Sequence, residues 1–429
     1  MTTGLNRNLA LIYAAAFLRS ASIGLLGVVL AVYLSRTGFS ATAIGFVLAA
    51  GLVGCAAATA VTSRFGERFG RRLVLIVSAL LSSLGGIALA FVHTPSALIA
   101  LAFVCMLNGM GTDRSAAFAV EQAVIPGLVT NERRTWTLSW YNVVLDASGA
   151  VGALAGALPV ALQSWIGIGI LPAYHWLFFS YTALNLTSAL LYLFLDSQVE
   201  SQAATGAERE LTRVTPQTKR VVWRIAALFA LDSAGGGFLA DALLAYWFFL
   251  RFGVNEKQLG VLFFVVRILN ALSHLGAAWL AKRIGLVRTM VFTHLPSSLF
   301  LLAVPLAPNF GIAAVLLLLR EALVEMDVPT RQSYVAALVQ PHERVYASSV
   351  TNLARTGGWA VTASAAGALM QHVAFSAPLA LGGSMKVLYD VLLYRSFRGI
   401  KPPEELPPDS KTDSRSDAGV APLAKGSSS

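Results

Sequence analysis

Long apolar stretches separated by short polar connections run along most of the chain. Each stretch has about 20 residues or more, enough for a helix to cross a hydrocarbon layer of about 30 Å. A helix also satisfies its own backbone hydrogen bonds, as lipid requires, whereas the strands of a membrane barrel would be shorter and would alternate in polarity. The pattern therefore predicts an all-α membrane protein with about twelve transmembrane helices. The predicted spans are 8–35, 41–64, 72–92, 97–127, 135–160, 173–195, 221–251, 257–281, 287–307, 310–338, 345–371 and 377–396.

Composition agrees with this class of protein. Apolar residues make up 56% of the chain and charged residues 13%, whereas soluble domains carry roughly a quarter charged residues. Cys55 and Cys105 both lie inside predicted spans, so we interpret them as small apolar residues and expect neither a disulfide nor a metal site. The first apolar stretch is too long for a cleavable signal and should remain as a helix.

The net charge of +10 is explained by the connections between the spans. Lys and Arg are concentrated in alternate connections, and such connections lie in the cytoplasm under the positive-inside rule. We therefore predict a multi-pass protein of the cell (inner) membrane with both termini and the central connection in the cytoplasm. The partner that this charge indicates is the lipid bilayer and not nucleic acid.

The predicted spans divide into two sets of six. Residues 1–195 form a predicted N-terminal six-helix bundle, and residues 220–398 form a C-terminal one. A polar cytoplasmic loop at 196–219 joins them. A cytoplasmic tail at 399–429 is rich in Pro, Ser and charge, cannot bury enough apolar surface to fold, and is predicted to be disordered.

The two halves also resemble each other in sequence, at an offset of about 210 residues. Glu121-Gln122 corresponds to Arg331-Gln332, and Asn142 corresponds to Asn352. Because each half has six spans, the two copies share one orientation in the membrane. This is a parallel repeat about an axis along the membrane normal.

The connection after the second span has the sequence Glu67-Arg68-Phe69-Gly70-Arg71-Arg72. It is similar to the signature Asp-Arg-x-Gly-Arg-Arg of the major facilitator superfamily, with Glu in place of Asp. The resemblance implies two pseudo-symmetric six-helix bundles and a cytoplasmic gate at this loop, where Gly70 permits a tight turn. A decayed copy, Lys282-Arg283-Ile284-Gly285, follows the eighth span.

The resemblance covers the chain up to about Arg398. Two further stretches, LDSAGGGFLADALLAYWFFLRFG and EMDVPTRQSYVAAL, resemble a bacterial permease group of unassigned substrate. The proton-linked drug exporters of the superfamily carry an Arg in the fourth helix, and this chain has Cys105 there. Their fifth helix carries a Gly-Pro pair, which is absent here although Gly149, Gly152, Gly156 and Pro159 keep the small-residue spacing.

Ionisable residues are frequent inside the predicted spans. Each costs at least a few kcal/mol in mid-membrane unless it pairs, faces water or serves function. Such residues are Arg19, Asp113, Arg114, Glu121, Asp146, Asp232, Asp241, Arg267, Arg320, Glu321, Glu325, Asp327, Arg331 and Arg355. The resemblance implies that helices 1, 4, 7 and 10 line a central cavity, and most of these charges fall on those helices.

Seven of them are our candidates for the path of substrate and protons. These are Arg19, Arg114, Glu121, Asp232, Arg320, Asp327 and Arg331. Arg19 and Asp232 occupy matching places in the first helices of the two halves. In our hypothesis, a carboxylate such as Asp232 or Glu121 takes the proton, and Arg19, Arg114 or Arg320 binds an anionic part of the substrate. Asp232 precedes three glycines, Gly235 to Gly237, where the seventh helix should unwind or flex, and Pro329 should kink or open the tenth.

Structural alternatives remain open for several charges. Asp146 and Arg355 are predicted to form an ion pair that locks the fifth helix to the eleventh. Glu121 and Arg331 lie towards the cytoplasmic helix ends, where gate or topology roles are equally open. His274 shares a face of the eighth helix with Arg267, and it is either a helix contact or a proton relay.

These observations predict a monomeric, proton-coupled secondary transporter for a small polar or charged solute. A drug–proton antiporter for amphipathic compounds and a non-transporting membrane sensor are the alternatives. The sequence contains no His-x-x-x-Asp, Gly-x-Ser-x-Gly or His-Glu-x-x-His pattern and no Walker-type phosphate loop. We therefore predict no enzymatic activity, no cofactor and no metal.

Overall fold

The computed structural model describes residues 2–113, 115–129, 131–200, 215–339 and 344–397. Sixteen α-helices and no strand occur in these ranges. The helices of the first half are α1 (Thr2–Arg36), α2 (Ala41–Phe69), α3 (Arg71–Phe91), α4 (Pro95–Cys105), α5 (Ala116–Val124), α6 (Asn131–Ala155), α7 (Leu158–Ile166) and α8 (Ile170–Leu193). Those of the second half are α9 (Pro216–Gly237), α10 (Asp241–Phe252), α11 (Glu256–Ile284), α12 (Leu286–Ala303), α13 (Phe310–Val324), α14 (Asp327–Leu338), α15 (Arg344–His372) and α16 (Ala377–Phe397).

The sixteen helices account for the twelve predicted spans because four spans are each divided into two helices. The divided spans are α4 with α5, α6 with α7, α9 with α10, and α13 with α14. In the described residues, eight segments are long and apolar enough to cross a membrane by length and composition. The remaining spans are the divided fourth and tenth, together with α15 and α16.

The fourth span, predicted as one helix over 97–127, is interrupted between α4 and α5. Met106 ends α4 in a left-handed conformation, with φ of 54°, and Gly111 has φ of 75°. The Asn108 side chain donates to the Thr112 carbonyl at 2.8 Å and accepts from the Met110 amide at 2.9 Å. This side chain thus supplies part of the hydrogen bonding that the missing helical turn would provide.

The seventh and tenth spans are interrupted where their sequences predict it. Helix α9 ends at Gly237, the last of the three glycines, and α10 begins at Asp241. Helix α13 ends at Val324 and α14 begins at Asp327, just before Pro329. Proline has no N–H for the carbonyl four residues earlier, which explains the position of the second break.

Several contacts between the two halves lie near the helix ends that are distant from the chain termini. Arg36 at the end of α1 forms an ion pair at 2.7 Å with Glu256 at the start of α11. Thr42 at the start of α2 donates a 2.8 Å hydrogen bond to Gln371 near the end of α15. Close approach is also required here, since a Cβ on Gly45 would lie 3.0 Å from the backbone nitrogen of Gly367.

The two copies of the signature loop have the same φ at their glycine. Gly70 and Gly285 both have φ of 86°, and each precedes the first residue of a helix, α3 or α12. Gly70 alone connects α2 to α3, so the predicted tight turn is present. Its φ lies in the region that favours glycine. At the start of α3, the Glu200 carboxylate accepts from the backbone amides of Arg71 at 2.6 Å and Arg72 at 3.1 Å.

Candidate functional site

The first group of charges is buried inside the N-terminal half, and we call it the N-cluster: Arg19, Asp113, Glu121, Tyr141 and Tyr192. The Arg19 guanidinium of α1 contacts Asp113 at 2.7 Å and Glu121 at 2.6 Å. Asp113 comes from the interruption of the fourth span and Glu121 from α5. The break therefore lets two carboxylates reach one arginine.

Glu121 is fully engaged by its neighbours. Its Oε1 accepts from Arg19 at 3.0 Å and from the Tyr192 hydroxyl at 2.6 Å. Its Oε2 accepts from Arg19 at 2.6 Å and from the Tyr141 hydroxyl at 2.6 Å. Four donors from three side chains therefore fix the position of this carboxylate.

The second group lies inside the C-terminal half, and we call it the C-cluster: Asp232, His294, Asp327, Arg331, Lys386 and Asp390. Asp232 of α9 is at its centre. Its Oδ1 accepts from the Lys386 ammonium at 2.7 Å, and its Oδ2 accepts from Arg331 at 3.1 Å. Arg331 also lies 3.2 Å from Asp327, one turn earlier on α14.

His294 of α12 connects Asp232 to Asp390 of α16. Its Nδ1 is 2.9 and 3.0 Å from the two Asp390 oxygens, and its Nε2 is 3.5 Å from Asp232 Oδ1. The Lys386 ammonium is 3.4 Å from the same Nε2. All four side chains are buried, so water screens these charges little.

A cavity of about 120 Å³ lies beside the C-cluster, between the two halves. Asp232, His294, Asp327, Arg331 and Lys386 line it, and Met110 and Thr112 contribute from the interrupted fourth span. Two ion pairs also contribute to the polar lining. They are Arg267 with Asp241 and Arg320 with Glu321.

A third group of charges crosses from one half to the other, and we call it the seam cluster: Asp146, His274 and Glu325. The His274 Nε2 lies 3.8 Å from Asp146 of α6 and 3.9 Å from Glu325 at the end of α13. The three side chains are 31% (His274), 20% (Asp146) and 29% (Glu325) exposed, unlike the buried N- and C-clusters.

The structure brings six of the seven path candidates into two of these groups and the cavity. Arg19 and Glu121 meet in the N-cluster, and Asp232, Asp327 and Arg331 meet in the C-cluster. Arg320 lines the cavity and pairs with Glu321. Arg114 lies outside the described residues, as do the side chains of the gate residues Glu67 and Arg68.

Asp146 and Arg355, which we expected to pair with each other, contact other residues in the structure. Asp146 faces His274, whereas Arg355 donates to the Ser233 hydroxyl at 3.3 Å and lies 4.7 Å above the Trp359 ring. Asp146 thus takes part in the seam cluster and not in the predicted ion pair between the fifth and eleventh helices. Helix-face arguments cannot choose between partners that approach from several neighbouring helices.

Sequence reasoning missed His294, Lys386 and Asp390, which complete the C-cluster. Lys386 and Asp390 are one turn apart in the last span, and that spacing in an apolar helix is a signal that both share a buried face. His294 had no comparable signal, because a single histidine in an apolar helix is usually a helix contact. Tyr141 and Tyr192 were also missed, because a single tyrosine in an apolar helix gives no signal of its partners either.

Comparisons with known proteins agree with this architecture. The family model of the Major Facilitator Superfamily matches residues 12–362 and 252–426. The uncharacterized membrane protein YJR124C of Saccharomyces cerevisiae is 23% identical over 425 residues, which cover 92% of this chain and 95% of that protein.

Solved transporter structures share the fold. A D-xylose–proton symporter superposes with a TM-score of 0.73 at 16% identity, over 92% of this chain and 98% of that one. The nucleoside transporter NupG gives 0.71 at 13% identity, over 91% and 99%. A bacterial homologue of the iron transporter ferroportin, in an inward-facing state, gives 0.68 at 15% identity, over 91% and 98%.

The predicted all-α fold of two six-helix bundles and the predicted family are therefore confirmed. The prediction of a transporter, and not an enzyme, agrees with the family and with these solved structures. This multi-pass membrane protein belongs to the Major Facilitator Superfamily.

Proposed function

We propose that this protein is a proton-coupled secondary transporter that moves a small polar or charged solute by alternating access. The central cavity carries the proposal. Charged side chains of both signs line it, among them Asp232, Arg320 and Lys386. Ionisable groups at membrane depth are retained where they pair or line a water-filled path, and these residues form ion pairs and line a cavity.

The lining favours a polar solute. Besides the charges, Asn270 and Thr112 offer hydrogen-bonding groups, and Trp359 offers one aromatic ring. A solute that carries several hydroxyl, amide or ionic groups can replace water at such a surface. The related folds of a xylose–proton symporter and a nucleoside transporter make sugars and nucleosides reasonable first candidates.

A second, apolar cleft supports the alternative of a drug–proton antiporter. It has a volume of about 620 Å³ and is bounded by α2, α4 and α15, with Phe46, Val53, Phe103 and Val361 in its wall. These four side chains are exposed, so the cleft faces the lipid. An amphipathic compound could enter it from the bilayer, whereas a sugar would not.

The contacts between the halves support alternation between two states. The ion pair of Arg36 with Glu256 joins the halves at the ends distant from the termini. With both termini in the cytoplasm, as the positive-inside rule predicts, this would be an inward-facing state. In our proposal, release of this contact accompanies opening of the opposite side.

The remaining expectations belong to the same proposal. Residues 1–195 and 220–398 act as two bundles joined by the loop at 196–219, and the tail at 399–429 lies in the cytoplasm. The protein works as a monomer in the cell inner membrane. The signature loop, with Gly70, Arg71 and Arg72, acts as the cytoplasmic gate.

The test is uptake by proteoliposomes that contain the purified protein, with an imposed pH gradient. Radiolabelled sugars, nucleosides, amino acids and small carboxylates would be compared with amphipathic cations. We expect one polar class to accumulate with the gradient and Asp232→Asn to abolish accumulation, whereas Asp196→Asn, outside the cavity, should not. Flux that ignores the gradient would refute proton coupling, and flux of the cations alone would favour the antiporter.

A further inference from the structure

The C-cluster has one more negative than positive charge when His294 is neutral. Asp232, Asp327 and Asp390 contribute three negative charges, and Arg331 and Lys386 contribute two positive ones. All six side chains are buried, where an uncompensated charge is costly. A second ring proton on His294 would balance the group.

Asp232 and Glu121, the carboxylates that the sequence predicts as proton acceptors, are already occupied by other donors in this structure. Glu121 accepts four hydrogen bonds, so a proton there would displace a donor. Asp232 accepts from Lys386 and Arg331, so a proton there would displace a cation from contact with it. The coupling proton therefore needs another residue.

His294 has the geometry of such a residue. An Nδ1 proton directed at the Asp390 carboxylate, 2.9 Å away, leaves Nε2 free to accept. Nε2 is 3.4 Å from the Lys386 ammonium and 3.5 Å from Asp232. A neutral ring can accept a hydrogen bond from Lys386, whereas a protonated ring repels Lys386 and can donate to Asp232.

The charged groups nearest to His294 come from α9, α14 and α16, while Glu325 and Arg355 line the same cavity. Helix α16 contributes Lys386, Asp390 and Tyr389, whose ring stands edge-on at 5.7 Å, and α9 contributes Asp232. Helix α14 contributes Asp327 and Arg331, which reach His294 only through Asp232. The pairs of Arg320 with Glu321 and of Arg267 with Asp241, which line the same cavity, are each internally balanced.

We propose that His294 binds the coupling proton, with Asp390 as its positioning residue, and that protonation weakens the hold of Lys386 on Asp232. This inference rests on the proposed proton coupling. Because Lys386 and Asp232 line the cavity, binding of the proton would change which charges face the solute. It would thus link the protonation state to solute binding without requiring protonation of Asp232.

The test is a titration of the ¹⁵N-histidine resonances of the purified protein in lipid bilayers, from about pH 4.5 to 9, the range in which histidine usually changes charge. We expect one ring to gain its second proton in this range. Its signal should be missing in His294→Gln and present in His93→Gln, which removes an exposed histidine. A histidine spectrum whose titrating signals all persist in His294→Gln would overturn the proposal.

Two variants that retain His294 test its neighbours and remain informative should His294→Gln fail to fold. Lys386→Met removes a like charge and should raise the midpoint of the His294 titration by about one pH unit or more. Asp390→Asn removes an opposite charge and should lower it. Unchanged midpoints in both would refute the roles of Lys386 and Asp390. No solute is needed, so a failure of gradient-driven flux remains distinguishable from a failure of this site.

Discussion

Arg19 and Glu121 form in the N-terminal half the contact that Asp232 and Arg331 form in the C-terminal half, with the two charges exchanged. The first pair joins α1 to α5 at 2.6 Å, and the second joins α9 to α14 at 3.1 Å. The helices correspond in the two halves, so the duplicated positions kept an ion pair while its polarity reversed. Both pairs are buried, so removal of one partner would leave an uncompensated charge inside its own bundle.

Arg19→Gln should destabilise the N-terminal half, because it leaves Asp113 and Glu121 buried without their shared cation. Removing one partner of a buried ion pair costs about 3–5 kcal/mol. Unfolding of the detergent-purified protein, followed by circular dichroism, would measure the loss. Arg7→Gln, on the exposed face of α1, is the matched control and should have little effect.

The double variant Arg19→Gln, Glu121→Gln separates charge from packing. It removes one charge of each sign, so a substantial part of the lost free energy of unfolding should return. If the free energy lost in the double variant equals the sum of the losses in the two single variants, the ion pair contributes nothing specific.

Gly111→Ala should prevent correct folding of the cavity wall. Gly111 has φ of 75°, and a Cβ at this position would overlap the Asp241 carboxylate and the Arg267 guanidinium. The measurement is the fraction of monodisperse protein after size-exclusion chromatography. Gly127→Ala is the control, since a Cβ there meets no atom within 4 Å, and equal yields of both variants would contradict the prediction.

Glu256→Gln should weaken closure at the ends of the bundles distant from the termini. Glu256 Oε1 accepts from Arg36 at 2.7 Å and from the Tyr174 hydroxyl at 2.6 Å, and its side chain is fully buried. The loss of charge should increase the labelling rate of a cysteine placed at Ser40, in the adjoining connection. Cys55 and Cys105 are both buried and should contribute little background.

The matched control for that variant is Lys257→Gln, the exposed next residue in the chain. It alters the local charge at the surface without touching the ion pair. A labelling rate that rises equally in both variants would point to a general loosening of α11 and would contradict a specific role of Glu256.

Acidification should strengthen attraction across the seam cluster, because a protonated His274 lies between the carboxylates of Asp146 and Glu325. Histidine generally gains its charge as the pH falls through the range of about 8 to 5. The attraction is therefore lost as the pH rises and His274 becomes neutral, and it is lost again at a pH low enough to protonate the carboxylates of Asp146 and Glu325. Spin labels at Leu73 on α3 and Trp223 on α9, both exposed, would report the distance between the halves.

The distance distribution should shift to shorter values on acidification and should lose that shift in His274→Gln. His372→Gln, at the exposed end of α15, is the control and should behave as the parent does. A shift that survives in His274→Gln would assign the pH response to another group.

The sequence was most informative about the membrane spans and the family, and least informative about side-chain partners. Span length follows from the apolar pattern alone, and the breaks near Gly237 and Pro329 follow from local backbone chemistry. The interruption after Cys105 was missed, because it depends on the side chain of Asn108 and on close approach at Gly111. Partners such as His274 for Asp146 depend on how separate helices approach each other, which one sequence does not encode locally.

The four hydrogen bonds to Glu121 have a consequence for how the duplicated halves share their work. Through its hydrogen bonds to Arg19, Tyr141 and Tyr192, this carboxylate of α5 cross-links α1, α6 and α8. In the other bundle, the His294 ring lies between Asp390 and Lys386, at 2.9 Å and 3.4 Å. After gene duplication and reversal of the ion pair, the two halves would then differ in role. The N-terminal half would stay cross-linked around its ion pair, and the C-terminal half would respond to protonation of His294.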